Sequence, residues 1–130
     1  MKKNILLVIL IFVSICAKSQ TINHINIKYW SFDVFTPVTI SIEKFDKMKF
    51  DFIRYKNICE QDSVLMFVQE INKLKLIDSC YKKNIDVRAK LELFYNNKCN
   101  IIYLSSSIVL IGNNVFENTD KLKRLIIDCK

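Results

Sequence analysis

The sequence predicts an α+β fold: an antiparallel sheet of about six strands covered on one face by two helices, in the order βββ-α-βββ(β)-α. Over residues 85–95 apolar side chains alternate strictly with charged ones up to Glu92, which is typical of a strand with one buried and one wet face. A single wet face favours antiparallel pairing, because parallel strands are usually buried on both faces. Apolar residues recur every three or four positions over residues 64–74, which indicates a helix. Grouped strand-like segments favour α+β over α/β.

Three strands and a helix are predicted in the N-terminal half of the chain. Loose alternation predicts the first strand at 24–30, and clean alternation after Pro37 predicts the second at 38–42. A third strand is expected at 48–56, where aromatic residues alternate with charges. The period then changes to that of a helix, which we place at 61–77.

The C-terminal half is predicted to form a run of strands followed by a helix. The predicted strands are 85–95, 100–105, 108–111 and a short segment at 115–116. Asn is expected in left-handed turn positions, such as Asn96 and Asn113, since the chain has one Gly and one Pro. Asn118 or Thr119 is expected to cap the last helix. The inner face of that helix is predicted to carry Leu122, Leu125, Ile126 and Cys129.

The first 19 residues are predicted to be a signal peptide, and residues 20–130 a single α+β domain. Lys2 and Lys3 precede an apolar run that is too short for a comfortable membrane span. Ala17 and Ser19 place small residues at the positions that cleavage before Gln20 requires. The segment resembles bacterial type I signals, so we expect an exported protein, periplasmic or secreted. Its removal lowers the formal net charge from +7 to +4, a surplus too mild to indicate an acidic partner.

Cys16 offers a second interpretation of the N-terminus. The residues up to Cys16 resemble a lipoprotein signal, in which a lipidated Cys becomes the first residue of the mature chain. That pattern requires a small residue before the Cys, and Ile15 is branched and bulky. We therefore prefer simple cleavage, and we expect membrane association only if Cys16 is lipidated. An uncleaved anchor is the remaining alternative.

Four cysteines follow the expected cleavage point, and an even number in a small exported domain predicts two disulfides. A bridge between Cys59 and Cys80 is excluded by a predicted helix of about 30 Å between them. We favour Cys59–Cys99 together with Cys80–Cys129, on the expectation that the helix runs antiparallel to the 85–95 strand. A true hairpin at 115–116 would instead bring Cys129 to the Cys59 end.

The sequence offers little for catalysis or for a cofactor. Zinc sites usually contain closely spaced Cys pairs, and no two of these four cysteines are close in sequence, so we expect no metal. One glycine does not make a phosphate-binding loop. His24, the only histidine, and Cys59, near a helix start, are the candidates for a general base and a reactive thiol. A surface histidine and a disulfide cysteine are the simpler interpretations. We expect no cofactor and no catalytic residue, and whether the protein is an enzyme stays open, leaning to no.

Aromatic residues are concentrated between residues 29 and 55, where they interleave with lysines. A packed aromatic layer of the core is the simpler interpretation. The functional interpretation is a binding face in which Trp30, Phe32 and Phe35 stay partly exposed for a protein or a sugar ring. These three residues flank Pro37, where the alternation fails, so they are not all expected to point inward. Export argues against a single-stranded nucleic-acid platform.

Asp62-Ser63-Val64 resembles the short O-glycosylation acceptor of exported proteins in some Gram-negative bacteria, in which Asp precedes Ser or Thr and an aliphatic residue follows. This interpretation makes Ser63 a candidate glycosylation site. A three-residue match is weak, and we prefer a helix N-cap at this position.

Together these observations predict a small exported bacterial protein that acts as a non-catalytic binding or inhibitory module. Its partner is expected to be a protein or glycan of the cell envelope, and not a nucleic acid. The sheet face that carries Asp86, Arg88, Lys90 and Glu92 is expected to be open to solvent or to that partner. The alternatives are a small periplasmic hydrolase or thiol enzyme using His24 or Cys59, and a lipid-anchored envelope subunit.

Overall fold

The computed structural model describes residues 22–129, so the expected signal peptide and Cys16 lie outside the described residues. Within this range the strands are β1 (Ile22–Tyr29), β2 (Arg54–Ile58), β3 (Leu76–Ile77), β4 (Ala89–Tyr95), β5 (Lys98–Leu104), β6 (Ile108–Ile111) and β7 (Asn114–Glu117). The helices are α1 (Ile42–Lys47), α2 (Gln61–Asn72) and α3 (Asp120–Asp128), together with a 3₁₀ helix at Ser79–Asn84.

The seven strands of the described chain form one antiparallel sheet in the order β2-β1-β4-β5-β6-β7-β3. This confirms the predicted α+β class. The alternating segment predicted as a strand at 85–95 forms β4 near the centre of the sheet only from Ala89 onward, and residues 85–88 lead into it. Leu93 of β4 pairs with Ile25 of β1 and with Asn100 of β5. About six strands were expected. The strand predicted at 38–42 is not formed, whereas β3, which pairs with β7 through Leu76 and Ile77, was not predicted.

One face of the sheet is covered by α2 and α3, as predicted. The first hydrophobic core lies between these helices and the sheet. The fully buried side chains of this core include Ile25, Leu91, Phe67, Leu122 and Ile126. Burial of such side chains contributes about 1.5–3 kcal/mol each. The period-two pattern of β4 and the helical period of α2 and α3 therefore correspond to real buried faces.

The opposite face of the sheet is not open, which corrects the expectation for the face that carries Asp86, Arg88, Lys90 and Glu92. Residues 30–53 cross this face and bury a second hydrophobic core around Phe45 of α1, which is fully buried. Val87, Leu110 and Val115 form the sheet side of this core. Only the part of the face around Glu92 and Phe94 stays uncovered by that core.

The strand predicted at 38–42 is absent, and α1 begins where that strand was expected to end. Ser41 is the N-cap of α1, and its side chain accepts a hydrogen bond from the Lys44 N–H. Ile40 is held to the sheet by two isolated hydrogen bonds: its N–H donates to Asp86 Oδ1 at 2.7 Å, and its carbonyl accepts from Val87 N–H at 2.8 Å. The third strand starts at Arg54 rather than at residue 48. The alternating side chains of this segment therefore belong to a loop that is held to the sheet at a few points, and not to a strand.

α2 ends at Asn72, five residues before the predicted end at 77. The N–H of Lys73 donates to the carbonyls of Glu70 and Ile71, which closes the helix, and the chain then extends into β3. The predicted turns at residues 96–97 and 112–114 and the N-cap of the last helix are confirmed, but in the second turn the left-handed residue is Gly112 and not Asn113, because glycine adopts positive φ without steric cost. Asn96 has φ of 51° and Gly112 has φ of 60°, and the Thr119 side chain accepts from the Leu122 N–H as the N-cap of α3.

Candidate functional site

An apolar groove of about 520 Å³ opens on the second face of the sheet, and we call it the aromatic groove. It is lined by Trp30, Thr36, Pro37, Val38, Ile40, Lys44, Lys47, Met48 and Phe50. One wall is the loop around Pro37, and the other is α1 with the segment that follows it. The groove is therefore made by the part of the chain that covers the second core.

A buried arginine fixes the loop wall of the groove. Arg88 is 4% exposed, and its guanidinium donates twice to Asp86 Oδ2, at 2.8 Å and 3.1 Å. It also donates to the Ser31 carbonyl at 3.2 Å and to the Thr36 hydroxyl at 3.1 Å. Asp86 in turn accepts the Ile40 N–H. One ion pair thus binds the loop at both ends, and it is the rigid geometry of the guanidinium that permits this.

Aromatic rings continue from this ion pair to the mouth of the groove. The Arg88 guanidinium lies over the Trp30 ring, 4.7 Å from its centroid. Trp30 packs on Phe52 with centroids 5.0 Å apart, and Phe52 stacks on Phe50 at 5.1 Å. Cation–π and aromatic contacts of this geometry each contribute about 0.5–1.5 kcal/mol. The exposed rings of Phe52 and Phe50 are therefore held in place by their contacts with Trp30 and, through it, with Arg88.

The mouth of the groove exposes large apolar side chains. Val38 is 61% exposed and Phe50 57%, and Phe35, which precedes Thr36 of the groove wall but does not line the groove, is 90% exposed. Lys44 and Lys47 of α1 line the same groove and add positive charge. A contiguous apolar surface with a charged rim is typical of an interaction site, whereas scattered single residues are not.

The three aromatic residues predicted as a binding face do not share one surface. Phe32 is buried in the first core, Trp30 is half-buried against Arg88, and Phe35 projects into solvent. Of the three, only Trp30 lines the aromatic groove. Val38 and Phe50 were not predicted as binding residues, because each lies in a segment that was predicted to be strand and that is not strand at that residue.

A second, polar cleft of about 570 Å³ lies beside α1, lined by residues that include Lys28, Lys90, Asp46 and Glu92. Its lysines serve the fold. Lys28 donates to the carbonyls of Phe45 and Asp46 at the end of α1, and Lys90 donates to Asp46 Oδ1 at 3.1 Å. Burial lowers the pKa of Lys28, whereas for Lys90 the hydrogen bond and charge of Asp46 outweigh burial and raise the pKa. The contacts of Lys28 and Lys90 thus anchor α1 at this cleft, which Lys49 and Glu92 also line.

His24 and Cys59 lie near each other but do not form a catalytic pair. Cys59 follows Ile58, which pairs with Ile25, so the two candidates sit at the same end of β1 and β2. The Cys59 thiol donates to Asn57 Oδ1 at 2.8 Å. The His24 ring stacks on Phe94 with centroids 4.5 Å apart. A thiol directed to an amide and an imidazole stacked on a phenyl ring are not arranged for proton transfer between them.

The four cysteines of the described segment are free thiols, so neither expected bridge is formed in this structure. Strand pairing explains why Cys59 and Cys99 are apart. Their neighbours Ile58 and Asn100 lie on β2 and β5, and β1 and β4 lie between these two strands. Three strand spacings amount to about 14 Å, twice the Cα separation that a disulfide tolerates.

Cys80 and Cys129 lie at opposite edges of the sheet. Cys80 follows β3, whereas Cys129 ends α3, whose last carbonyls accept hydrogen bonds from Lys56 of β2. Desolvation together with Asp78 raises the pKa of the Cys80 thiol, and desolvation together with Glu92 raises that of Cys99. Raised pKa values reduce the thiolate fraction, which is the reactive form.

Ser63, the candidate glycosylation site, lies in the first turn of α2 and is half-buried. The N-cap of α2 is Glu60, and it makes no side-chain capping bond. The preferred N-cap role for Ser63 is therefore wrong by three residues. Asp62 remains in the first turn, where its charge suits the positive end of the helix dipole.

No family model matches the chain, and neither curated proteins nor solved structures give a significant match. Among the helices at residues 22–129, none has the length and apolar character that crossing a membrane requires. The same residues contain no group of three His, Cys, Asp or Glu side chains placed to hold a metal ion. The aromatic groove is thus the strongest candidate site on the described surface.

Proposed function

We propose that this protein is a small exported module that binds, and in doing so inhibits or recruits, a protein of the cell envelope through the aromatic groove. The signal-like pattern of residues 1–19 supports export. The exposed apolar mouth of the groove supports binding. No catalytic step is part of the proposal, and the residues that line the groove include no His, Cys, Asp or Glu.

The observation that carries the proposal is that exposed rings are held in place by a buried ion pair. Arg88 is buried at a cost in desolvation that its hydrogen bonds to Asp86, Ser31 and Thr36 offset. The result is a loop fixed before any partner arrives. A preorganised surface binds more tightly because less side-chain and loop entropy is lost on association.

The chemistry of the groove favours a protein over a glycan. A sugar ring needs hydrogen-bond partners beside its stacking surface, whereas the groove is lined almost wholly by apolar side chains. Trp30, the natural stacking platform, is half-buried between Arg88 and Phe52. Lys44 and Lys47 would favour a partner segment in which acidic residues flank an apolar anchor.

Affinity capture from the envelope fraction of the native host tests the groove. A partner retained by the wild-type protein is expected to bind Phe50→Asp at least tenfold more weakly. A charge in a central apolar contact typically costs about 2 kcal/mol or more, and about 1.4 kcal/mol already corresponds to a tenfold change in Kd. Tyr81→Asp is the matched control, because Tyr81 is as exposed as Phe50 but lies on the 3₁₀ helix. Equal binding by both variants would show that the groove is not the site.

Two further outcomes separate the alternatives. Loss of capture after glycan removal from the envelope fraction would replace the protein partner by a glycan. Intact mass of the protein recovered from its host, before and after reduction, tests export directly: a chain beginning at Gln20 is expected. A chain beginning at an acylated Cys16 would indicate the lipid-anchored subunit instead.

A further inference from the structure

An apolar cleft of about 440 Å³, open to solvent on one side, enters the edge of the first core, on the face of the sheet opposite the aromatic groove. We call it the inner cavity. It lies between the C-terminal half of α2 and the sheet. Its walls are buried aliphatic side chains, among them Ile22, Val68, Leu93 and Ile102, while Asn72 and Asn100 are exposed at its edge.

The size and the mainly apolar lining of this cleft are those of a ligand site. Pockets of about 300–1,000 Å³ with mainly apolar walls and a few polar groups are the usual form of small-molecule sites.

The lining defines the class of ligand. Among the described residues, no acidic or basic side chain lines the cavity, although a quarter of the chain is charged. An ionised group drawn between these walls would lose its hydration without gaining a counter-charge. The polar groups that do line the cavity, Asn72, Asn100 and Tyr95, offer hydrogen bonds to an uncharged head group.

We infer that the inner cavity binds a neutral amphiphile with one acyl-like chain, with the chain between α2 and the sheet and the head group near Asn72 and Asn100. This site is independent of the aromatic groove, since the sheet separates the two. The chain of such a ligand would shield the apolar walls of the cleft from water. The inference does not rest on the proposed function.

Calorimetric titration of the protein recovered from its host with 1-decanol tests the inference. Saturable binding at one site is expected. Ile71→Trp, which fills the cavity from α2, is expected to weaken binding at least tenfold, whereas Leu65→Trp on the exposed side of the same helix retains it. Ile111→Phe fills the cavity from β6 and provides a second variant if Ile71→Trp fails to fold.

Four results would overturn the inference. The first is no saturable binding by the wild-type protein, and the second is equal binding by the filling variants and Leu65→Trp. The third is tighter binding of decanoate than of 1-decanol at pH 7, which would show that the head group is charged. Binding that appears only after the residues before Ile22 are removed would count against the inference too, because the chain itself would then be the occupant.

Discussion

At the scale of single residues, Arg88 connects fold and site. Its position in an alternating segment predicts an exposed charge, yet Arg88 is 4% exposed and donates hydrogen bonds to Ser31, Thr36 and Asp86. Period two assigns a side chain to a face but does not say whether another segment covers that face. The ion pair with Asp86 could not be predicted, because the partners that bury it come from a distant loop.

Replacing Arg88 by Met is expected to lower the free energy of unfolding by about 3 kcal/mol. This is the lower end for breaking a buried pair, since the Asp86 side chain keeps 30% of its surface exposed. Urea unfolding measures the loss. Arg54→Met, at an exposed position of β2, is expected to change stability by less than about 0.5 kcal/mol. Equal losses in the two variants would mean that the network does not hold the loop.

At the scale of elements, the two helices on the first core are joined by Glu70. This carboxylate on α2 is buried, and it lies 3.1 Å from Lys121 of α3 and 3.5 Å from Lys73. Burial acts to raise the pKa of Glu70, but the hydrogen bond and charge of Lys121 and the charge of Lys73 outweigh it, so the pKa lies below its ordinary value of 4.5.

A lowered pKa fixes the sign of the pH dependence. Glu70 contributes stability fully above pH 4.5, its unfolded value, and that contribution is lost as the pH falls through the lower folded value. Glu70→Gln is therefore expected to reduce the acid-induced loss of stability, whereas Glu117→Gln on exposed β7 leaves it unchanged. Unfolding free energies between pH 3 and pH 6 check this. Identical pH profiles for Glu70→Gln and the wild-type protein would contradict it.

At the scale of the whole molecule, the sequence predicts the strands and helices whose apolar side chains recur with a regular period. It does not predict how residues 30–53 pack onto the sheet. β4, its hairpin with β5, and both core helices follow from side-chain spacing and are confirmed. Residues 30–53 alternate well enough to suggest two strands, but Ser41 begins a helix there and Asp86 holds Ile40 from 46 positions away. The aromatic groove escaped prediction for the same reason, since its walls meet only after this segment docks.

The molecule thus has two cores that share one sheet. We expect the second core to open at a lower free energy than the first. Phe45, fully buried in the second core, is the residue of α1 that anchors residues 30–53. Phe45→Ala removes about 3–5 kcal/mol of local packing. The part of the segment that follows Phe32 can release without unfolding α2, α3 or β4, because these elements and Phe32 are packed in the first core. Local opening of this kind is common where few contacts join a segment to the rest.

Amide hydrogen exchange measures the separation. In Phe45→Ala, exchange is expected to accelerate over the part of residues 30–53 that follows Phe32 while β4 and β5 stay protected, and binding at the aromatic groove is lost while binding of 1-decanol is kept. Phe67→Ala, in the first core, is the control and is expected to accelerate exchange throughout the sheet, since Phe67 packs with Ile25 and Leu91. If Phe45→Ala also exposes β4, the two cores unfold as one unit, and the groove is then as stable as the fold itself.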